Sequence, residues 1–131
     1  MRTSLSLLAA AAVLSTAGIA QAADYAIDPT HTFATFEIGH FGATTNRARF
    51  DKKEGKVSFD KAAKTAKVDL VIDTKSVSTG SDTFNEHIQG EDFLDTAKYP
   101  TATFKSTKVV FEGDKPASIE GNLTLKGVTK P

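Results

Sequence analysis

Three histidines, His31, His40 and His87, are the first side chains to weigh for chemistry. Imidazole suits proton transfer and metal binding near neutral pH. No H-x-H, H-x-x-x-H or H-E-x-x-H spacing links them, so no strand or helix face presents two of them to one ion. His31 ends Asp28-Pro29-Thr30-His31, which reads as a turn whose Asp caps its own backbone. As an acid/base pair, Asp28 and His31 have no nucleophile to serve. Ser76, Ser78, Thr79 and Ser81 make a polar loop without the G-x-S-x-G elbow of a serine hydrolase. Cysteine is absent, which removes thiolate nucleophiles, disulfides and Cys-ligated zinc or iron–sulfur sites. There is no Gly-rich phosphate cradle and no recognisable pair of catalytic carboxylates. The sequence therefore points away from an enzyme, and no cofactor or metal is expected. His40 differs from the other two because it continues an apolar strand face, where it could meet a polar head group.

That face belongs to a second kind of chemistry, the burial of apolar surface. Ala34, Phe36, Ile38 and His40 alternate with Phe33, Thr35, Glu37, Gly39 and Phe41. Val68, Leu70 and Ile72 alternate with Lys67, Asp69 and Asp73, Val71 being the one apolar exception. Ile119, Gly121, Leu123 and Leu125 alternate with Ser118, Glu120, Asn122, Thr124 and Lys126. A period of two marks half-buried strands. Phe104–Phe111 is strand-like in composition, but its alternation is imperfect. With 9 Phe against 2 Tyr and no Trp, the aromatic content offers few polar handles. The candidate wall is Ala34, Phe36, Ile38, His40, Val68, Leu70, Ile72, Phe104, Leu123 and Leu125, gathered inside one barrel. In a large barrel such a wall is core and pocket at once. Each buried CH₂ is worth ~0.8 kcal/mol, so a ten-carbon tail would gain roughly 8 kcal/mol before ordering costs.

Strands and turns must position these faces. Thr32–Phe41, at ~3.3 Å per residue, predicts a strand about 33 Å long, which suits a tall, tilted barrel. Gly42–Asn46 reads as the following turn. Asp60–Ala66 is a polar connector of hairpin length between Val57-Ser58-Phe59 and the Val68 strand. Lys52, Lys53 and Lys56 near Asp51 and Glu54 read as a solvated hairpin face. Thr83-Phe84-Asn85-Glu86 matches a capping box and predicts a helix over Phe84–Gln89, ended by Gly90. Phe93 and Leu94 then cover an open end of the sheet. The Ser81–Leu94 segment, with Phe84 and Phe93, is the expected cap of the pocket. Gly127-Val128-Thr129-Lys130-Pro131 reads as the middle of a hairpin. On that reading the sheet lacks its last strands, and Ile119–Lys126 forms an open edge.

Charge and composition narrow the partners. The 131 residues carry 16 Lys+Arg and 16 Asp+Glu, which suits one domain and argues against a nucleic-acid binder. At 40% hydrophobic and 24% charged residues, the composition is globular. Met1-Arg2-Thr3, the apolar run Leu5–Ile19 and Ala20-Gln21-Ala22 make a secretory signal peptide, cut after Ala22. The run is too short for the ~20 residues that span a bilayer, so no stable membrane insertion is expected. Ala23–Pro131 is then one exported domain.

Several segments together resemble the YceI-like family. They are Tyr25-Ala26-Ile27-Asp28-Pro29-Thr30-His31-Thr32 and Phe36-Glu37-Ile38-Gly39-His40-Phe41-Gly42. Glu91-Asp92-Phe93-Leu94-Asp95 and Tyr99–Ser106 follow, then Gly121–Pro131. The resemblance implies an all-β, extended antiparallel lipocalin-like β-barrel with a short helix between strands. It implies a periplasmic carrier whose interior holds a polyisoprenoid, such as an isoprenoid quinone-type lipid. The family usually has Gly where this chain has Ala48, and its members continue past the Gly-Val-Thr-Lys-Pro segment. Two other classes stay open: a stress-related or scaffold barrel without bound lipid, and, ranked last, a hydrolase acting on an amphiphile through His31 or His40.

Overall fold

Alternating sequence and tight turns give antiparallel strands throughout residues 22–131, the residues that this computed structural model describes. The segment read as a signal peptide, Met1–Ala22, lies outside them but for Ala22. The strands are β1 (Ala23–Ala26), β2 (Ala34–His40), β3 (Thr44–Phe50), β4 (Lys53–Asp60) and β5 (Thr65–Asp73). After them come β6 (Val77–Ser78), the helix α1 (Asp82–Gln89), β7 (Thr101–Glu112), β8 (Lys115–Leu125) and β9 (Val128–Lys130). One sheet has six strands in the order β1-β4-β5-β7-β8-β9, and the other has three, β2-β3-β6. The protein is all-β with one short helix among the described residues. Its two sheets are not joined into a closed barrel.

Register explains why the apolar faces add up. Leu70 lies opposite Phe104, and Phe104 opposite Leu123, so one row of side chains crosses β5, β7 and β8 on a single face. Ile72 opposite Ala102 makes the next row. On the small sheet, Ala34 faces Phe50, Phe36 faces Ala48, and Phe50 faces Val77. The sheets meet where Phe50, Ala48 and Val77 join Ile72, Ala102 and Ile88 of α1 in one buried cluster. A small Ala48 beneath Phe36 leaves room for its ring to stack on Phe50 at 5.1 Å.

The imperfect alternation of β7 has a local cause. Ser106 pairs with Gly121 but Lys108 pairs with Glu120, so Thr107 is an extra residue, a β-bulge. The bulge flips parity. Phe104 before it and Val109 and Phe111 after it share the inner face, and Phe111 stacks on Phe59 at 5.8 Å.

Four boundaries differ from the sequence reading. The strand expected over Thr32–Phe41 is Ala34–His40, because Phe41 enters the turn with φ 51°. That turn is Phe41–Ala43, and β3 begins at Thr44, inside the expected Gly42–Asn46 turn. The helix starts at Asp82, because Ser81 and not Thr83 is its N-cap and accepts from the Phe84 N–H. The open edge expected over Ile119–Lys126 is covered only at its end. Lys126 and Gly127, both at positive φ, make a tight turn, and β9 pairs back onto β8. That pairing shields Leu123–Leu125 and leaves Ile119–Asn122 with no strand on that side.

Candidate apolar cleft

The two sheets leave a cleft of about 350 Å³ between β2 on one side and β7 and β8 on the other. Strand β2 contributes Ala34 and Phe36; β8 contributes Leu123 and Leu125. Phe50, Ile72 and Ala102 form the floor, and Leu94 closes one end. Thr35 and Glu37 are the polar residues at its border. At Leu123 the cleft adjoins a second concavity of about 600 Å³, lined by Phe104, Ile119, Gly121 and Thr107 among others. Among the described residues no buried side-chain nitrogen or oxygen lacks a hydrogen-bond partner. The lining is mostly apolar, so what the cleft chiefly offers a ligand is apolar contact.

The helical segment is tied to the cleft's end by backbone geometry. The Leu94 N–H donates to Ile88 O at 3.0 Å and the Asp95 N–H to Gly90 O at 2.9 Å, which folds the chain back against α1. This turns Leu94 inward and leaves Phe93 outward. Phe93 is 43% exposed and lies beside His87 at 4.7 Å, away from the cleft. Phe84, Ile38 and Leu70 pack against the buried cluster without lining the cleft. Val68 is half-buried further along β5, opposite Val57. His40 is exposed at the far end of β2, with its ring edge-on to Phe41 at 4.5 Å. Of the twelve site residues read from the sequence, Ala34, Phe36, Ile72, Leu123 and Leu125 come together in the cleft. Phe104 lines the adjoining concavity. Phe50, Ala102 and Leu94 complete the cleft without having been expected as site residues.

Residues 25–131 match the YceI-like domain family. The chain belongs to that family. Its relatives include a UPF0312 protein of Pseudomonas aeruginosa, 45% identical over all of this chain and 70% of the relative. Another from Vibrio cholerae is 40% identical and 71% covered. Among solved structures, Burkholderia cenocepacia BcnA superposes with a TM-score of 0.70 at 26% identity, over 79% of this chain and 65% of that one. The Campylobacter jejuni YCEI protein superposes at 0.60 with 33% identity, over 81% of this chain and 63% of that one. The chain thus spans slightly under two thirds of these solved chains. The YceI-like motif segments fall where the cleft is built: Phe36 on β2, Leu94 beyond α1, and Leu123 and Leu125 on β8.

Elsewhere in this YceI-like domain, charges are spent locally. Arg47 pairs with Glu37 across the β2–β3 ladder at 2.7 Å, and Arg49 pairs with Asp51 at 2.7 Å. Lys53 is not part of a solvated hairpin face. It starts β4 opposite Ile72, is half-buried, and donates to Asp51 O at 3.2 Å. Asp28 caps its turn as its sequence context suggests. Its carboxylate accepts from Thr30 Oγ1 at 2.6 Å and Thr30 N at 2.8 Å, and contacts His31 Nδ1 at 2.7 Å. These contacts, the Thr30 hydroxyl first and then His31, pull the carboxyl from 3.8 down to about 2. A lowered folded-state value means that the hydrogen bonds to the charged carboxylate stabilise the turn above the ordinary aspartate range, a contribution lost as pH falls through about 2. An NMR titration of the Asp28 carboxyl should show that low midpoint, and Thr30→Ala should move it upward. An unchanged midpoint in Thr30→Ala would remove the hydroxyl as the cause.

Proposed function

We propose that this chain binds an amphiphile with a long, branched hydrocarbon tail, a polyisoprenoid or isoprenoid quinone-type lipid, in the cleft between β2 and β8. It does so in the periplasm, after removal of Met1–Ala22, and acts as a carrier and not as an enzyme. The observation that carries the reading is the cleft itself, apolar on its floor and both walls and open along the half-exposed Leu123 and Leu125. Membership of the YceI-like family supports the same ligand class. Phe36 and Phe50 present flat, stiff surfaces that contact an unsaturated chain without polar atoms to satisfy. Head-group selectivity is expected to be low, because the cleft's polar residues stand only at its border.

The test is a native mass spectrum of the protein exported into a bacterial periplasm. An adduct of isoprenoid mass on a narrow, low charge-state envelope is the expected result. Leu125, 38% exposed, can accept a charge without opening the core, so Leu125→Asp should keep the envelope and lose the adduct by tenfold or more. A narrow envelope with no adduct, even after incubation with ubiquinone, would overturn the carrier and leave an empty scaffold.

A further inference from the structure

The β2–β3 turn carries a local violation that packing does not explain. Phe41 is 94% exposed and has φ 51°, a left-handed conformation that is an outlier for a bulky side chain. Gly42 follows at φ 70°, and the Ala43 N–H donates to His40 O at 3.0 Å, which closes the turn. Turns with this backbone favour Asn, Asp or Gly first and Gly second. The β8–β9 turn has the same pair of positive φ values and places Lys126 where this one places Phe41. The backbone therefore does not ask for an aromatic residue. The ring gains little in return beyond its edge contact with His40. Strain retained without a packing gain points to a function outside the fold.

The surroundings say what the function is. From Ile38 through Asn46 the sequence holds no Lys, Arg, Asp or Glu, although such residues make up 24% of the chain. The nearest charges on the ladder are Glu37 and Arg47, and they neutralise each other. Gly39 and Gly42 have nothing within 4 Å of a would-be Cβ, so the tip stands clear of the rest of the protein. A stable protein partner needs about 800 Å² of each surface, which one protruding ring and its turn do not provide. A bilayer interface needs only an uncharged tip with an aromatic ring, and rings favour that depth.

We propose that the β2–β3 tip, led by Phe41, docks this protein reversibly on a lipid bilayer. Phe36 and Ile38 on the same strand connect that end to the cleft, and Phe36 lies about 17 Å along β2 from Phe41. The docking does not depend on the cleft's ligand and is tested without it. Because the chain has no tryptophan, Phe41→Trp places a single indole at the tip. Its emission should shift to the blue on adding phosphatidylcholine vesicles, equally with and without phosphatidylglycerol and at high or low salt. Phe33→Trp, at the other end of β2, should not shift. Phe41→Asn should lower vesicle co-sedimentation roughly tenfold. Its Tm should be unchanged or a few degrees higher, since Asn tolerates this conformation better. Three results would overturn the proposal. One is no shift at millimolar lipid, and another is a shift that needs phosphatidylglycerol and fails in salt. The third is a shift that follows protein concentration without lipid, which would mean a second copy covers the ring.

Discussion

Phe50→Ala should lower the unfolding free energy by about 3–5 kcal/mol, measured by urea denaturation with the slope held constant. A domain with roughly 5–15 kcal/mol in hand would lose much of its margin. The size of the effect follows from place. Phe50 is 8% exposed, ends the middle strand of the small sheet, and lies opposite Ala34 on one side and Val77 on the other. Its ring stacks on Phe36 at 5.1 Å and shares a buried cluster with Ile72 and Ala102 of the large sheet. Truncation leaves a cavity at the seam of two sheets that no hydrogen-bonded strand holds together, so apolar contact is the main thing lost there. Phe36→Ala should cost less, because Phe36 is only half-buried. The double mutant should show a coupling of about 0.5–1.5 kcal/mol from the stacked pair. Strict additivity would mean that the rings merely neighbour each other.

Phe50 also shows where the sequence was readable and where it was not. Arg47-Ala48-Arg49-Phe50 alternates charged and apolar residues, the same signal that identified β2, β5 and β8, over only four positions. Reading it would have placed Ala48 and Phe50 inside and both arginines outside, as they are. Ala102 gives a weaker signal, because a small residue between threonines carries little hydrophobic contrast. The strands whose one face is buried and whose other face is wet were legible from periodicity, since burial itself imposes the period. Parity beyond Ser106 was not legible, because a bulge depends on which residue of β8 is opposite. The sequence groups Phe93 and Leu94 in one cover, but outside regular structure no period says which side chain turns inward. There the hydrogen bonds from Leu94 and Asp95 to the end of α1 decide it. Periodicity puts Val68 with Leu70 and Ile72 on one face, and the register agrees. How far along β5 the small sheet reaches is a tertiary fact, and the buried cluster takes in Ile72 with Leu70 against it and stops short of Val68.

Gly121→Ala is the smallest substitution with a large expected cost. Replacing glycine in a strand by alanine ordinarily stabilises by about 0.4–1 kcal/mol, because the unfolded chain loses freedom. Here the sign reverses. A Cβ at residue 121 would stand 2.5 Å from Phe104 Cζ and 2.6 Å from the Lys105 carbonyl oxygen. The ring can swing aside, but the carbonyl belongs to the β7 backbone next to the Thr107 bulge and moves only if the hairpin shifts. Overpacking of this kind costs about 1–3 kcal/mol, so after the unfolded-chain gain a net loss of about 1–2 kcal/mol is expected in urea unfolding. The two contacts can be separated. In a Phe104→Leu background the ring clash is gone and the carbonyl clash remains, so only part of the cost should return. Full recovery would assign the whole effect to Phe104. It would then make Gly121 the residue that lets that ring lie flat along the wall of the concavity beside the cleft, with backbone approach playing no part.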